Sequence, residues 1–153
     1  MSNGHWLFSR QMGVAGYTGF VYVIRDYLSG HFYIGKKNYK VERGEHKGRE
    51  SDWRTYMSSS KHLRELLLHV PKDGFQGIVL EEYSQKASLR YAETWSLCRI
   101  NAPCNPLCFN VRIEEISWAI KEPPTDLHIE RLTRATTGGN FREDYLTGLF
   151  EPT

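Results

Sequence analysis
Long apolar runs are missing from this chain: nowhere do the roughly 18 consecutive apolar residues of a membrane-spanning helix occur. The N-terminus, Met1-Ser2-Asn3-Gly4-His5-Trp6, also lacks the basic-then-apolar layout of a secretion signal. Together these absences lead to the expectation of a cytoplasmic protein with no membrane partner. Cysteine is scarce. Cys98, Cys104 and Cys108 are odd in number and too few for a disulfide framework, and C-x5-C-x3-C departs from the usual spacing of paired zinc ligands. They are expected to be reduced thiols in or near a core. A large net charge is missing too, the formal value being +2, so overall charge by itself says little about partners. What remains is ordinary for a globular protein: 153 residues, 40% apolar and 25% charged, with aromatics somewhat high at 13%. That is enough chain for one domain with a proper core and little for a second.

The charge that is present is unevenly spread. Between Lys36 and Arg64 nine basic residues face four acidic ones, whereas from Glu114 to Thr153 four basic residues face eight acidic ones. The two stretches would meet a phosphate backbone very differently. Lys36, Lys40, Arg43, Arg49 and Lys61 in the basic stretch are candidate nucleic-acid contacts, with a solvated charged face as the alternative.

Residues 1–18 hold Gly4, Gly13 and Gly16 among scattered aromatics without a period, which reads as an irregular leader. Phe20 to Ile24 is β-branched and aromatic, Asp26 to Gly30 carries turn chemistry, and His31 to Gly35 is a second strand-like run, so a β-hairpin is expected. His31, Tyr33, Gly35 and Lys37 share one face of its second strand, and depending on register Tyr22 and Tyr33 are near neighbours. Lys36 to Asp52 reads as a long loop or a short exposed helix. Ser58-Ser59-Ser60 offers N-caps to an amphipathic helix in which Leu63, Leu66, Leu67 and Val70 recur until Pro71. Lys72-Asp73-Gly74 makes a turn, and Phe75 to Tyr83 reads as a buried third strand.

A second helix is expected from Gln85 to Ile100, capped by Ser84, with Leu89, Glu93, Leu97 and Ile100 along one stripe. Glu93 interrupts that stripe, a costly place for a carboxylate unless a cation holds it or the stripe borders a cleft. Phe109-Asn110-Val111 is a short extended piece, Ile113 to Ile120 a further short helix, and Thr136 to Asn140 a loop.

Val21-Tyr22-Val23, followed by Tyr33-Ile34-Gly35, resembles the two-part signature of the GIY-YIG nucleases. The second half matches to the letter; the first replaces Gly-Ile by Phe20-Val21 but keeps Tyr22. The order that follows (helix, strand, helix with a glutamate, closing asparagine) is the family's, and covers about residues 19–112. The resemblance implies a small α+β module with a mainly antiparallel three-stranded sheet flanked by helices. A leader of 1–18 and a C-terminal extension of 113–153 would pack on it. It implies a metal-dependent DNA endonuclease like the free-standing enzymes of phages and mobile elements, which would act in the host cytoplasm. Glu93 would bind Mg2+ or Mn2+, Tyr22 activate water, Tyr33 position water or phosphate, and Asn110 orient a neighbour or the substrate.

Those residue types suit the chemistry. Phosphodiester hydrolysis needs an in-line activated water and positive charge on the phosphoryl oxygens, which a hard cation on one carboxylate can supply. A phenol acts as a base at neutral pH only beside a cation, and Lys37, sharing a face with Tyr33, is a better candidate than Lys36. The family's phosphate-binding arginine is Arg43 by spacing or Arg54 by its better packed surroundings, with Arg54 preferred. A homodimer or two successive nicks would be needed for a double-strand break. The competing functions are a catalytically inactive nucleic-acid-binding module on the same scaffold and a protein-interaction domain with an acidic C-terminal face.

Overall fold
The computed structural model describes residues 2–71, 74–110, 122 and 124–137. Its elements run β1 (Trp6–Leu7), β2 (Gly19–Asp26), β3 (Phe32–Asn38), α1 (Lys61–Leu67), β4 (Phe75–Tyr83), α2 (Lys86–Arg99) and α3 (Asp126–Thr137). The strands form one sheet in the order β1-β4-β2-β3. The hairpin β2–β3 is antiparallel, as is β2–β4, while β1 lies parallel to β4. The α+β expectation holds, but the sheet is mixed and four-stranded instead of antiparallel and three-stranded. The extra strand comes from the segment expected to be irregular, and with two residues it is too short to show an alternating pattern.

Alternation along the strands splits the core in two. Val21, Val23, Ile34, Ile78 and Leu80 meet Leu89, Ala92 and Leu97 of α2 and Leu132 and Ala135 of α3. Phe20, Tyr22, Ile24 and Val79 meet Trp6, Met12, Trp53 and Leu63 on the other side. The β2–β4 register steps over Leu80, pairing Val21 with Glu81 but Tyr22 with Val79. Such a bulge shifts the alternation of β4, so Glu81 reaches His128 of α3 while Glu82 reaches Tyr39 on the opposite side.

Helix α1 starts where expected, with the Ser60 hydroxyl accepting from the Leu63 N–H, but it stops short of Val70. Leu68 and His69 bond back only three residues, which tightens the last turn. For α2 the expected Ser84 cap is replaced: Gln85 is the N-cap, and the Ser84 and Gln85 N–H groups donate to the Glu122 carboxylate. Glu122 lies far along the chain, beyond the reach of local capping rules.

Residues 36–38 continue β3, and residues 39–52 form bends and turns closed by an isolated bridge between Lys40 and Glu50, not a helix. Helix α3 was not anticipated, and Thr136 and Thr137 belong to it instead of to a loop. It is fastened by two buried arginines, Arg131 donating to the Leu80 carbonyl and Arg25 of β2 donating to the Ala135 carbonyl. The cysteines are free as expected, yet Cys98 and Cys104 are exposed and only Cys108 is partly buried. Lys72, Asp73, Val111, the expected helix Ile113 to Ile120 and Gly138 to Asn140 lie outside the described residues. Among the described residues no helix is long and apolar enough to cross a membrane.

Candidate active site
Tyr22 stands directly opposite Gly35 across the hairpin, and β3 is the free edge of the sheet. A Cβ at position 35 would fall 2.6 Å from the Tyr22 Cζ and closer still to its hydroxyl. The missing side chain of Gly35 is therefore what lets the phenol lie across β3 and reach the edge. Tyr33 is diagonal to it, with ring centroids 6.5 Å apart.

The Tyr33 hydroxyl is 2.9 Å from that of Ser59, just ahead of α1. Its neighbour Ser58 is buried at φ +90°, a conformation that costs a non-glycine residue energy and is held by a bond from the Ser60 N–H to its hydroxyl. Strain at this loop thus accompanies the placement of Ser59 against Tyr33. A third tyrosine, Tyr56, packs edge-on to Tyr22 at 6.2 Å. The Lys37 ammonium lies 3.9 Å from the centre of the Tyr56 ring and donates to Asp52 at 2.6 Å. The sequence alone gives Tyr56 no place in the site. Nothing local marks it as part of the site, because the long 39–52 excursion separates it from the hairpin.

Glu93 is carried by α2, the helix that packs against the hairpin. Its charge is felt by both hairpin tyrosines. Burial first, then Tyr56, Tyr33 and Glu93, push the Tyr22 phenol well above its ordinary range. Tyr33 is also raised, by burial opposed by the Ser59 hydrogen bond and reinforced by Glu93. Both therefore hold their protons at neutral pH in the metal-free protein. Asn110 is buried, and its side chain bonds both the N–H and the carbonyl of Ile34, at 2.8 and 2.7 Å. Its partner is thus the backbone of the strand that carries Tyr33.

The two candidate arginines lie elsewhere. The Arg54 guanidinium rests on the Trp53 ring, donates to the Ser2 carbonyl and pairs with Glu50. Arg43 lines a cleft of about 680 Å³ between β3 and α2, together with Lys36, Lys86 and Arg90. None of the tyrosines lines this cleft. Lys40 borders an adjoining hollow, Arg49 is 3.2 Å from His46, and Lys61 is 3.8 Å from Glu65. Lys86 and Arg90 were missed in the sequence because they sit on a helix outside the basic stretch.

One other cluster has the residue types of a catalyst. Ser96 Oγ is 2.8 Å from His128 Nε2, whose Nδ1 is 3.5 Å from Glu81. Ser96 and His128 are fully buried, however, and the serine hydroxyl also donates to the Ala92 carbonyl. With no route for a substrate, this is a core network joining α2, α3 and β4.

Among the described residues no group of three His, Cys, Asp or Glu side chains is placed to hold a metal ion. The single carboxylate of Glu93 fits only a hard cation that leaves most of its coordination positions to water and phosphate oxygens. Residues 6–106 match the family model described as "Putative endonuclease segE, GIY-YIG domain". No curated protein and no solved structure matches the chain.

Proposed function
We propose, for a chain that belongs to the GIY-YIG endonuclease family, that it hydrolyses phosphodiester bonds of DNA with the help of Mg2+ or Mn2+ at Glu93. The observation that supports this most directly is the convergence of Tyr22, Tyr33, Tyr56, Lys37 and the charge of Glu93 at the free edge of β3. A hard cation at Glu93 would place positive charge on the phosphoryl oxygens and lower the pKa of nearby water and phenols.

The protein's own groups have separable tasks. The Tyr22 phenol, packed against Tyr56, orients the attacking water; it takes the water's proton only as the phenolate, which forms when its own proton passes to solvent under added positive charge that offsets burial. Tyr33, braced by Ser59, bounds the position of the scissile phosphate. Lys37, held by Asp52 and Tyr56, offers an ammonium to a phosphate oxygen. Asn110 acts through Ile34 by fixing the strand between Tyr33 and Gly35.

A second reading, a DNA-binding module without activity, is favoured by one observation: the contacts of Arg54 are with Ser2, Glu50 and Trp53, away from the tyrosines. Nicking of supercoiled plasmid with Mg2+, Mn2+ or EDTA separates the two. Metal-dependent nicking that disappears in Glu93→Ala and falls in Tyr22→Phe supports the nuclease. Plasmid binding without nicking in either metal overturns it in favour of the module.

A further inference from the structure
Helix α2 carries Lys86, Arg90 and Glu93 at spacings of four and three, so all three share one face. Along that face, Lys86 lies about 10 Å from Glu93 at 1.5 Å rise per residue. Opposite this face stand Lys36 of β3 and Arg43 of the following loop, which close the cleft of about 680 Å³, with Lys40 on the adjoining hollow. Among the described residues Glu42 is the single acid lining the cleft, and it pairs with Lys86 at 2.9 Å.

We infer that the cleft between β3 and α2 is the track for the phosphate backbone of the strand being cut, with Lys86 and Arg90 as contacts leading away from Glu93. This rests on the nuclease reading and adds the path of its substrate. The cations are strung along the helix and the strand, as suits a polyanion, and do not converge on one point as a small anion would require. The Glu42 carboxyl is held below its ordinary range, chiefly by the Lys86 hydrogen bond. It therefore stays ionised at neutral pH, and Lys86 must exchange it for a phosphate when DNA arrives. Glu42 thus acts as a built-in competitor that limits affinity along the track.

The test is fluorescence anisotropy of a labelled duplex with the full chain in EDTA across a salt series. Each lost phosphate contact lowers the slope of log K against log salt by about 0.9, which corresponds to about tenfold weaker binding at 0.1 M salt. Lys86→Gln should lose one such step, and Lys86→Gln with Arg90→Gln two. Lys86 is exposed, so its single variant keeps the test valid even if the double variant folds poorly. Glu42→Gln should bind more tightly than wild type. Arg99→Gln, on the opposite face of α2, should keep the wild-type slope and affinity.

Slopes that stay at the wild-type value in the Lys86 and Arg90 variants, with wild type binding and nicking, overturn the track and leave the nuclease reading standing. Wild type that binds no duplex even at low salt overturns both.

Discussion
The Asn110 side chain does for Ile34 what a neighbouring strand would do: Oδ1 accepts its N–H at 2.8 Å and Nδ2 donates to its carbonyl at 2.7 Å. Because β3 is the sheet edge, these two backbone groups have, among the described residues, no partner strand on that side beyond the bridge of Phe32 to Cys108. A single amide thus completes the edge between Tyr33 and Gly35.

Asn110→Ala should leave both Ile34 groups without their protein partner and lower stability by about 2 kcal/mol. Asn110→Asp should also be harmful, since a carboxylate keeps the acceptor but repels the Ile34 carbonyl. Urea denaturation measures the loss, and hydrogen exchange should show the Ile34 amide less protected in either variant. Unchanged exchange at Ile34 would remove the positioning role.

Gly35→Ala places a methyl group inside the contact distance of the Tyr22 ring. The tyrosine must move, and a shift of about 1 Å at a catalytic group costs about 10²-fold in rate. Nicking by Gly35→Ala should fall by that amount while the secondary structure, by circular dichroism, persists. If the loss passes through Tyr22, adding Gly35→Ala to Tyr22→Phe should lower the rate little further. Fully multiplicative losses would show that Gly35 matters for another reason.

The sequence reveals the hairpin, β4 and α2 because their apolar periods are regular, and it reveals the tyrosines and Glu93 because each sits on one of those elements. Helix α3 escapes for a definable cause. Its buried face is His128, Arg131, Leu132 and Ala135, at ideal helical spacing, but two of these four are polar and mask the period. Only the tertiary partners, Ser96 and Tyr83 for the histidine and the Leu80 carbonyl for the arginine, make that face a core face. Tyr56 and the Lys86–Arg90 pair are hidden differently, by long separations in the chain that local spacing cannot bridge. Preferring Arg54 for its packed surroundings identified a well-held side chain, but not where its guanidinium points.

That geometry orders two variants. Lys37→Met removes an ammonium held over Tyr56 beside the hairpin tyrosines and should reduce nicking by about 10² to 10³-fold, the scale for losing one preorganised charge-stabilising group. Arg54→Met loses contacts to Ser2 and Glu50 and should act more on stability than on the rate at saturating plasmid. Single-turnover nicking together with thermal melting gives the comparison. A larger rate loss in Arg54→Met than in Lys37→Met would return the phosphate contact to the arginine.

Glu81 links acid stability to the core network. Burial alone would raise its carboxyl, but hydrogen bonds from His128, Tyr83 and Thr125 outweigh burial and hold it below the ordinary value of 4.5. A carboxyl lowered on folding contributes stability that is present above the unfolded value and disappears as pH falls through the folded one. Wild type should therefore exceed Glu81→Gln in stability by about 2 kcal/mol at neutral pH, the scale of hydrogen bonds to a charged group. The gap should close below about pH 4.5. His5, pushed down to about 4 by burial, adds its own loss as pH falls below its ordinary 6.5, but it does so in both proteins and cancels in the difference. Urea titrations of the two proteins from pH 7 to pH 3.5 test the sign directly. A gap of the same size at both ends would mean that Glu81 contributes packing and not charge, and the His128 pairing would lose its energetic role.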